Sequence, residues 1–261
     1  MTTIRNPAVA GMFYPDNQAE LQSSIYEMLE QADFKDITPR AIIVPHAGYI
    51  YSGEIAASAY KQLEKVKDTI NRVVLLGPSH RVAFSGCAVS NADFFRTPLG
   101  DIKLDKAVIQ ELIALPQIQV SEAAHAEEHS LEVQLPFLQT VLNEFTLVPI
   151  VIGDSNANSV MEVLDFFWPD SKTLFVISSD LSHYHSYQVA QQMDKKTSDA
   201  IVHLQPEDIN YDDACGRMPV IGLIALAKKH GLKSVAIDIR NSGDTAGNKD
   251  QVVGYGAYGF Y

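Results

Sequence analysis

Apolar positions along the chain fall into two rhythms. Short runs, rich in β-branched residues, occupy 41–45 (AIIVP), 73–77 (VVLLG), 147–152 (LVPIVI), 174–178 (LFVIS) and 235–239 (VAIDI). Runs of this length predict strands of a largely parallel sheet buried on both faces. Between them apolar residues recur at helical spacing. Leu21, Ile25, Met28 and Leu29 set the pattern in 17–32, and 53–66, 105–115, 127–143, 156–167, 187–204 and 219–230 repeat it. Segment 86–103 reads as strand, turn, strand, with Pro98 and Gly100 at the turn. The tail, VVGYGAYGFY, reads as a terminal strand whose glycines admit close backbone neighbours. Strand–helix alternation predicts an α/β fold, a central mixed, mostly parallel sheet flanked by helices. Without a repeat or polar linker, 1–261 reads as a single domain.

Bulk properties narrow the partners. A formal net charge of −12 and a pI near 5.0 argue against nucleic acid and against a polybasic membrane surface. No apolar stretch approaches the roughly 20 residues that span a bilayer. The first residues, MTTIRNPAVAGMFYP, lack the layout of a signal peptide. Two cysteines, Cys87 and Cys215, make no disulfide framework, so a reducing, cytoplasmic setting is the expectation.

The chemistry gathers where the strands end. His46 follows AIIVP, His80 follows VVLLGPS, Asp244 follows VAIDIRNSG, and His183 follows LFVISSDLS. In open α/β sheets ligands bind beyond the carboxyl ends of the strands, so these four residues are placed to converge. Two imidazoles and a carboxylate suit a non-haem Fe(II) centre, with His46, His80 and Asp244 as metal ligands. Asp244 also reads as a turn cap. Ser79 or a nearby carbonyl is available to orient His80.

His183 is the candidate proton-transfer group, since an unperturbed imidazole titrates near pH 6.5. Asp180 orients it or caps the following helix, and His185 reads as solvent-facing. In Glu128-His129-Ser130-Leu131-Glu132, His129 and Glu132 share one face of a predicted helix that Pro136 kinks or restarts. His129 is the second catalytic candidate; Glu132, Tyr49 and Tyr51 are candidates for substrate binding. Cys215 reads as a small buried residue beside a tight turn in preference to a reactive thiol, and Cys87 as core filling. His125, His203 and His230 receive no role.

Longer stretches carry a resemblance. RNPAVAGMFYP at 5–15, PHAGYIYSG at 45–53, LGPSH at 76–80, EEHSLEVQLPFLQ at 127–139, SSDLSHYH at 178–185, CGRMPVIG at 215–222 and NSGDTAG at 241–247 resemble the Memo family, whose prokaryotic members are called AmmeMemoRadiSam system protein B. The resemblance implies a fold similar to class III extradiol dioxygenases, with His46 and His80 at the metal-histidine positions and His183 at the acid–base histidine. It sets Asp244 where animal Memo proteins have a cysteine and the dioxygenases a carboxylate. It also implies functional association with radical-SAM and AMMECR-type proteins.

Three functions follow as expectations. The first is an Fe(II)-dependent dioxygenase-like oxidoreductase acting on a small diol. The second is a non-catalytic module binding a small molecule, peptide, nucleotide or metal in the cleft. The third is a zinc hydrolase with His183 or Glu132 as base. Copper and zinc are the alternatives to iron, and the site is allowed to be empty as isolated.

Overall fold

The computed structural model describes residues 2–261. In chain order the strands are β1 (Ile4–Arg5), β2 (Ala41–Val44), β3 (Arg72–Pro78), β4 (Cys87–Val89), β5 (Phe94–Thr97), β6 (Gly100–Lys103), β7 (Ile118–Val120), β8 (Thr146–Ile152), β9 (Thr173–Ser178), β10 (His183–His185), β11 (Ser234–Asn241) and β12 (Val252–Phe260). Nine of them form one sheet of order β10-β12-β2-β9-β3-β8-β4-β7, with β11 also paired to β12. The centre, β2-β9-β3-β8, is parallel, and both flanks join it antiparallel through β12 and β4. The sheet is therefore mixed, as the strand–helix alternation predicts, with parallel pairing concentrated in the middle.

Every residue of β2 and β9 is buried, which explains why these strands read as unbroken apolar runs. Each fully buried Val, Leu or Ile there contributes about 1.5–3 kcal/mol of transfer free energy. Helices flank the sheet; Ala157–Phe167 packs on Arg217–His230, and Gln18–Gln31 on Tyr49–Tyr60. Asn17 and Asn156 cap two of these helices by accepting from backbone N–H groups of the first turn.

Three stretches depart from the sequence pattern. The helix expected over 127–143 is split: a short helix ends at Ala126, residues 127–131 are irregular, and Leu135–Val141 restarts the helix with Pro136 in its first turn. Proline lacks an N–H, and the first turn is where that donor is not needed. Segment 86–103 divides between sheets: β4 joins the large sheet, while β5 and β6 form a hairpin paired with β1. The glycine-rich tail, β12, lies inside the sheet between β2 and the β10 and β11 partners. Among the described residues no helix is long and apolar enough to cross a membrane.

Candidate metal centre

Adjacent parallel strands end at the same edge, so the residues after β2, β9 and β3 are neighbours. His46 lies two residues past β2 and His80 two past β3, and their rings are 5.2 Å apart, edge to face. His129, from the irregular 127–131 stretch, stacks on His80 at 4.6 Å and stands 5.5 Å from His46. The thiol of Cys215 completes the group, with Sγ 3.2 Å from His46 Nε2. One donor atom each from His46, His80 and Cys215 lies within 4.8 Å of the others.

Hydrogen bonds decide which ring nitrogen of each histidine is bare. Ser178 Oγ donates to the Ser130 carbonyl at 2.6 Å and accepts from Gln134 Nε2 at 2.8 Å. Its only proton is thus committed, and toward His46 Nδ1, 2.9 Å away, it accepts. His46 therefore carries its proton on Nδ1 and turns the Nε2 lone pair to Cys215. His80 Nδ1 lies 2.9 Å from Glu128 Oε1, so it too is the protonated nitrogen and leaves Nε2 bare. A ring N–H donated to a carboxylate or hydroxyl is how metal-binding histidines are oriented.

Glu128 holds the His80 loop as well as its ring. Its carboxylate accepts from the backbone N–H of His80 at 2.5 Å and of Ser130 at 2.9 Å. Burial alone would raise its pKa; the hydrogen bonds from His80 and Ser130 prevail and bring it down to about 2. Gly77 lets this stretch approach, since a Cβ there would lie 2.8 Å from Ser130 Oγ. Gly216 does the same for Cys215: a Cβ would stand 2.6 Å from that of Ser179, so the chain passes directly over the end of β9.

The remaining ionisable groups are kept neutral or nearly so. Burial, and then the neighbouring His80, His129 and His183, push His46 well below the ordinary 6.5. Burial, then His80, lowers His129 to about 4. Its Nδ1 is 3.5 Å from Glu128, yet as a neutral ring it makes no ion pair, and that nitrogen is buried without a hydrogen-bond partner. Burial raises the Cys215 thiol, with the nearby Asp180 adding to it. The Asp180 carboxyl is itself raised to about 7 by burial, against the hydrogen bonds from the His46 and Ala47 N–H groups.

The Nε2 atoms of His46 and His80 and a sulfur, gathered on one face, fit a metal ion of borderline or soft character. His80 and Cys215 also line an open cleft of about 960 Å³, where a fourth position would face a ligand.

The candidates from the sequence divide accordingly. His46, His80 and His129 come together, and His183, half-buried on β10, is near enough for its charge to oppose that of His46 and His80. Burial lowers the pKa of His183, against the opposing effect of the Leu181 backbone. Asp244 departs from the expected ligand set: it belongs to neither group of candidate metal donors among the described residues. It is exposed, its Oδ2 accepts from the Asn241 N–H at 3.0 Å, and its Oδ1 accepts from the Tyr187 hydroxyl. It closes the reciprocal cap of the turn Ser242–Asp244, and the donor grouped with His46 and His80 is Cys215.

None of the three substrate candidates lines the cleft. Glu132 is buried in an ion pair with Arg5 and accepts from the Ala8 and Val9 N–H groups and the Tyr14 hydroxyl. Tyr49 is a core residue whose hydroxyl donates to the Val133 carbonyl. Tyr51 is exposed beside the 242–247 turn, its carbonyl accepting from Thr245. Ser79 donates to the Val82 carbonyl and does not orient His80.

Pattern reasoning missed Glu128, Ser178 and Phe13, whose ring lies 4.9 Å from that of His129. The signal for Glu128 was its place between His125 and His129; Ser178 and Phe13 had none.

Comparisons with known proteins agree on the lineage. Residues 5–258 match the family described as Memo-like protein. The chain is 37% identical over 263 residues to a MEMO1 family protein of Aquifex aeolicus, spanning 97% of each. It is 36% identical over 251 residues to the protein memo-1 homolog of Caenorhabditis elegans, covering 86% of this chain and 71% of that one. In structure it is similar to an uncharacterized protein of Escherichia coli K12, JW3007, with a TM-score of 0.52, 12% identity, and 82% and 98% of the two chains covered. That last likeness concerns fold alone. The family match across nearly the whole chain, joined to the two relatives, shows that the chain belongs to the Memo family.

Proposed function

We propose that the protein is a metal-dependent oxidoreductase acting on a small substrate with paired oxygens, such as a diol. His46 Nε2, His80 Nε2 and Cys215 Sγ would hold the metal. The observation that carries this reading is the convergence of two histidines, both bare at Nε2, on one thiol at the mouth of a cleft. A redox-active ion bound there would supply electron transfer and Lewis acidity to substrate and O₂. The chain supplies the rest. His129 and His183, both held neutral, stand ready to take a proton from a substrate hydroxyl. Glu128 fixes His80.

With a sulfur in place of the Asp244 carboxylate, the donor set no longer favours iron over copper, and both enter the test. The hydrolase reading loses its carboxylate base: Glu132 is committed to Arg5, and Glu128 to His80 and Ser130.

The experiment is anaerobic reconstitution with Fe(II), Cu(I) and Zn(II), followed by metal counting and oxygen uptake over a panel of catechols. About one metal per chain is expected, lost in His80→Ala and Cys215→Ser and kept in Asp244→Ala, with uptake in the iron or copper form. Metal retained by both ligand variants overturns the site. A loaded protein that consumes no oxygen with any catechol overturns the oxidoreductase reading and leaves a binding module.

A further inference from the structure

The cleft that opens on His80 and Cys215 holds a cation that the metal chemistry does not use. Arg217 lies two residues after Cys215, in the same wall. Its Nε donates to the Ile209 carbonyl at 2.8 Å, which fixes the guanidinium plane and leaves both terminal nitrogens without an acceptor among the described residues. Most arginines of this chain, whose net charge is −12, are engaged elsewhere. Arg5, Arg72, Arg96 and Arg240 are ion-paired to carboxylates, Arg40 lies over the Trp168 ring, and Arg81, also without an ion pair among the described residues, is exposed and does not line the cleft. Arg217 makes no ion pair among the described residues, although Asp154 lines the same cleft. The same cleft presents the apolar side chains of Val82, Phe84 and Met218. A half-buried, pre-oriented guanidinium in this cleft matches the planar fork geometry of carboxylate and phosphate.

We propose that Arg217 is the specificity-determining residue of this cleft, and that the substrate carries an oxyanion head group on an apolar body. With the head on Arg217, the body lies along Phe84 and Met218, and its far end reaches His80 and Cys215. This inference deepens the metal-centre reading and rests on it for the word substrate; its binding test does not depend on bound metal.

Benzoate, its neutral isostere benzamide, acetate and inorganic phosphate serve as probes, titrated by saturation-transfer NMR into the parent protein and into His80→Ala. Benzoate is expected to bind about tenfold or more tightly than benzamide in both, as a charge-assisted bidentate contact provides. Arg217→Met should abolish that preference, and Arg217→Lys, which keeps the charge without the fork, should lose most of it. Competition assigns the head group: phosphate displacing benzoate better than acetate does points to a phosphoryl group, the reverse to a carboxylate. Equal affinity for benzoate and benzamide in the parent overturns the proposal without reference to any variant, as does a preference that survives in a folded Arg217→Met. If His80→Ala loses metal but keeps the preference, the Arg217 assignment stands whatever the reaction proves to be.

Discussion

A histidine serves as a metal ligand when one nitrogen is bare and aimed, and at this candidate centre the aiming falls to Ser178 and Glu128. His46 relies on a serine whose proton is spent elsewhere; His80 relies on a carboxylate that also grips its backbone. Glu128→Gln tests the second arrangement. Its three contacts all come from N–H donors, so an amide NH₂ must face at least one of them, donor against donor. Metal affinity should fall by about 10- to 100-fold, read by chelator competition; unchanged affinity would show that Glu128 does not orient His80. At this scale the histidines were legible because each directly follows an apolar run. Cys215 was not. A carboxylate after a strand resembles a ligand in sequence, and only the hydrogen bonds of Asp244 reveal a cap.

At the scale of elements, the centre is built by close approach. Helix Arg217–His230 begins against the end of β9 because Gly216 has no Cβ, and this contact delivers Cys215 to His46. In Gly216→Ala the added methyl would meet Ser179 and force the helix start outward. A loss of about 1–3 kcal/mol in stability is expected, as for overpacking, together with weakened metal binding. Denaturant melts and metal titration of the same sample check both; a variant that matches the parent in metal affinity would remove the glycine from the account. Long periodic helices and unbroken strands were legible. The irregular 127–131 stretch was not, because its residues are held by partners on distant strands, Pro78 and Ser178 among them, and not by local periodicity.

Across the whole molecule, buried neutral histidines make stability depend on pH. His125 is buried, hydrogen-bonded to the Ala88 carbonyl, and burial lowers its pKa to about 4. The folded-state value lies below the unfolded 6.5, so on acidification the unfolded chain takes up the proton first. Stability is full above pH 6.5, falls through the window from 6.5 to about 4, and is flat below that for this group. The contribution is about 3 kcal/mol for His125, with His129 acting in the same direction. Urea unfolding of metal-free protein at pH 7.5, 6 and 4.5 should show this loss, and His125→Gln should flatten it. An equal slope in that variant would mean other groups carry the acid sensitivity. The same scale explains Glu132: its ion pair with Arg5 and its bonds to Ala8, Val9 and Tyr14 tie the N-terminal segment down, which brings Phe13 onto His129.

By itself the sequence determined the layered α/β fold, the central strands and their flanking helices, and the two histidines at the strand ends. Those features follow from local periodicity and from the rule that parallel strands end at one edge. The tertiary structure alone decided which third donor stands beside the two histidines, which partners orient them, and the lowered pKa of the buried imidazoles. Each of these depends on which side chains, separated by tens of residues, share a few ångströms of dry space, and neither charge state nor hydrogen-bond partner is encoded in the spacing of a motif.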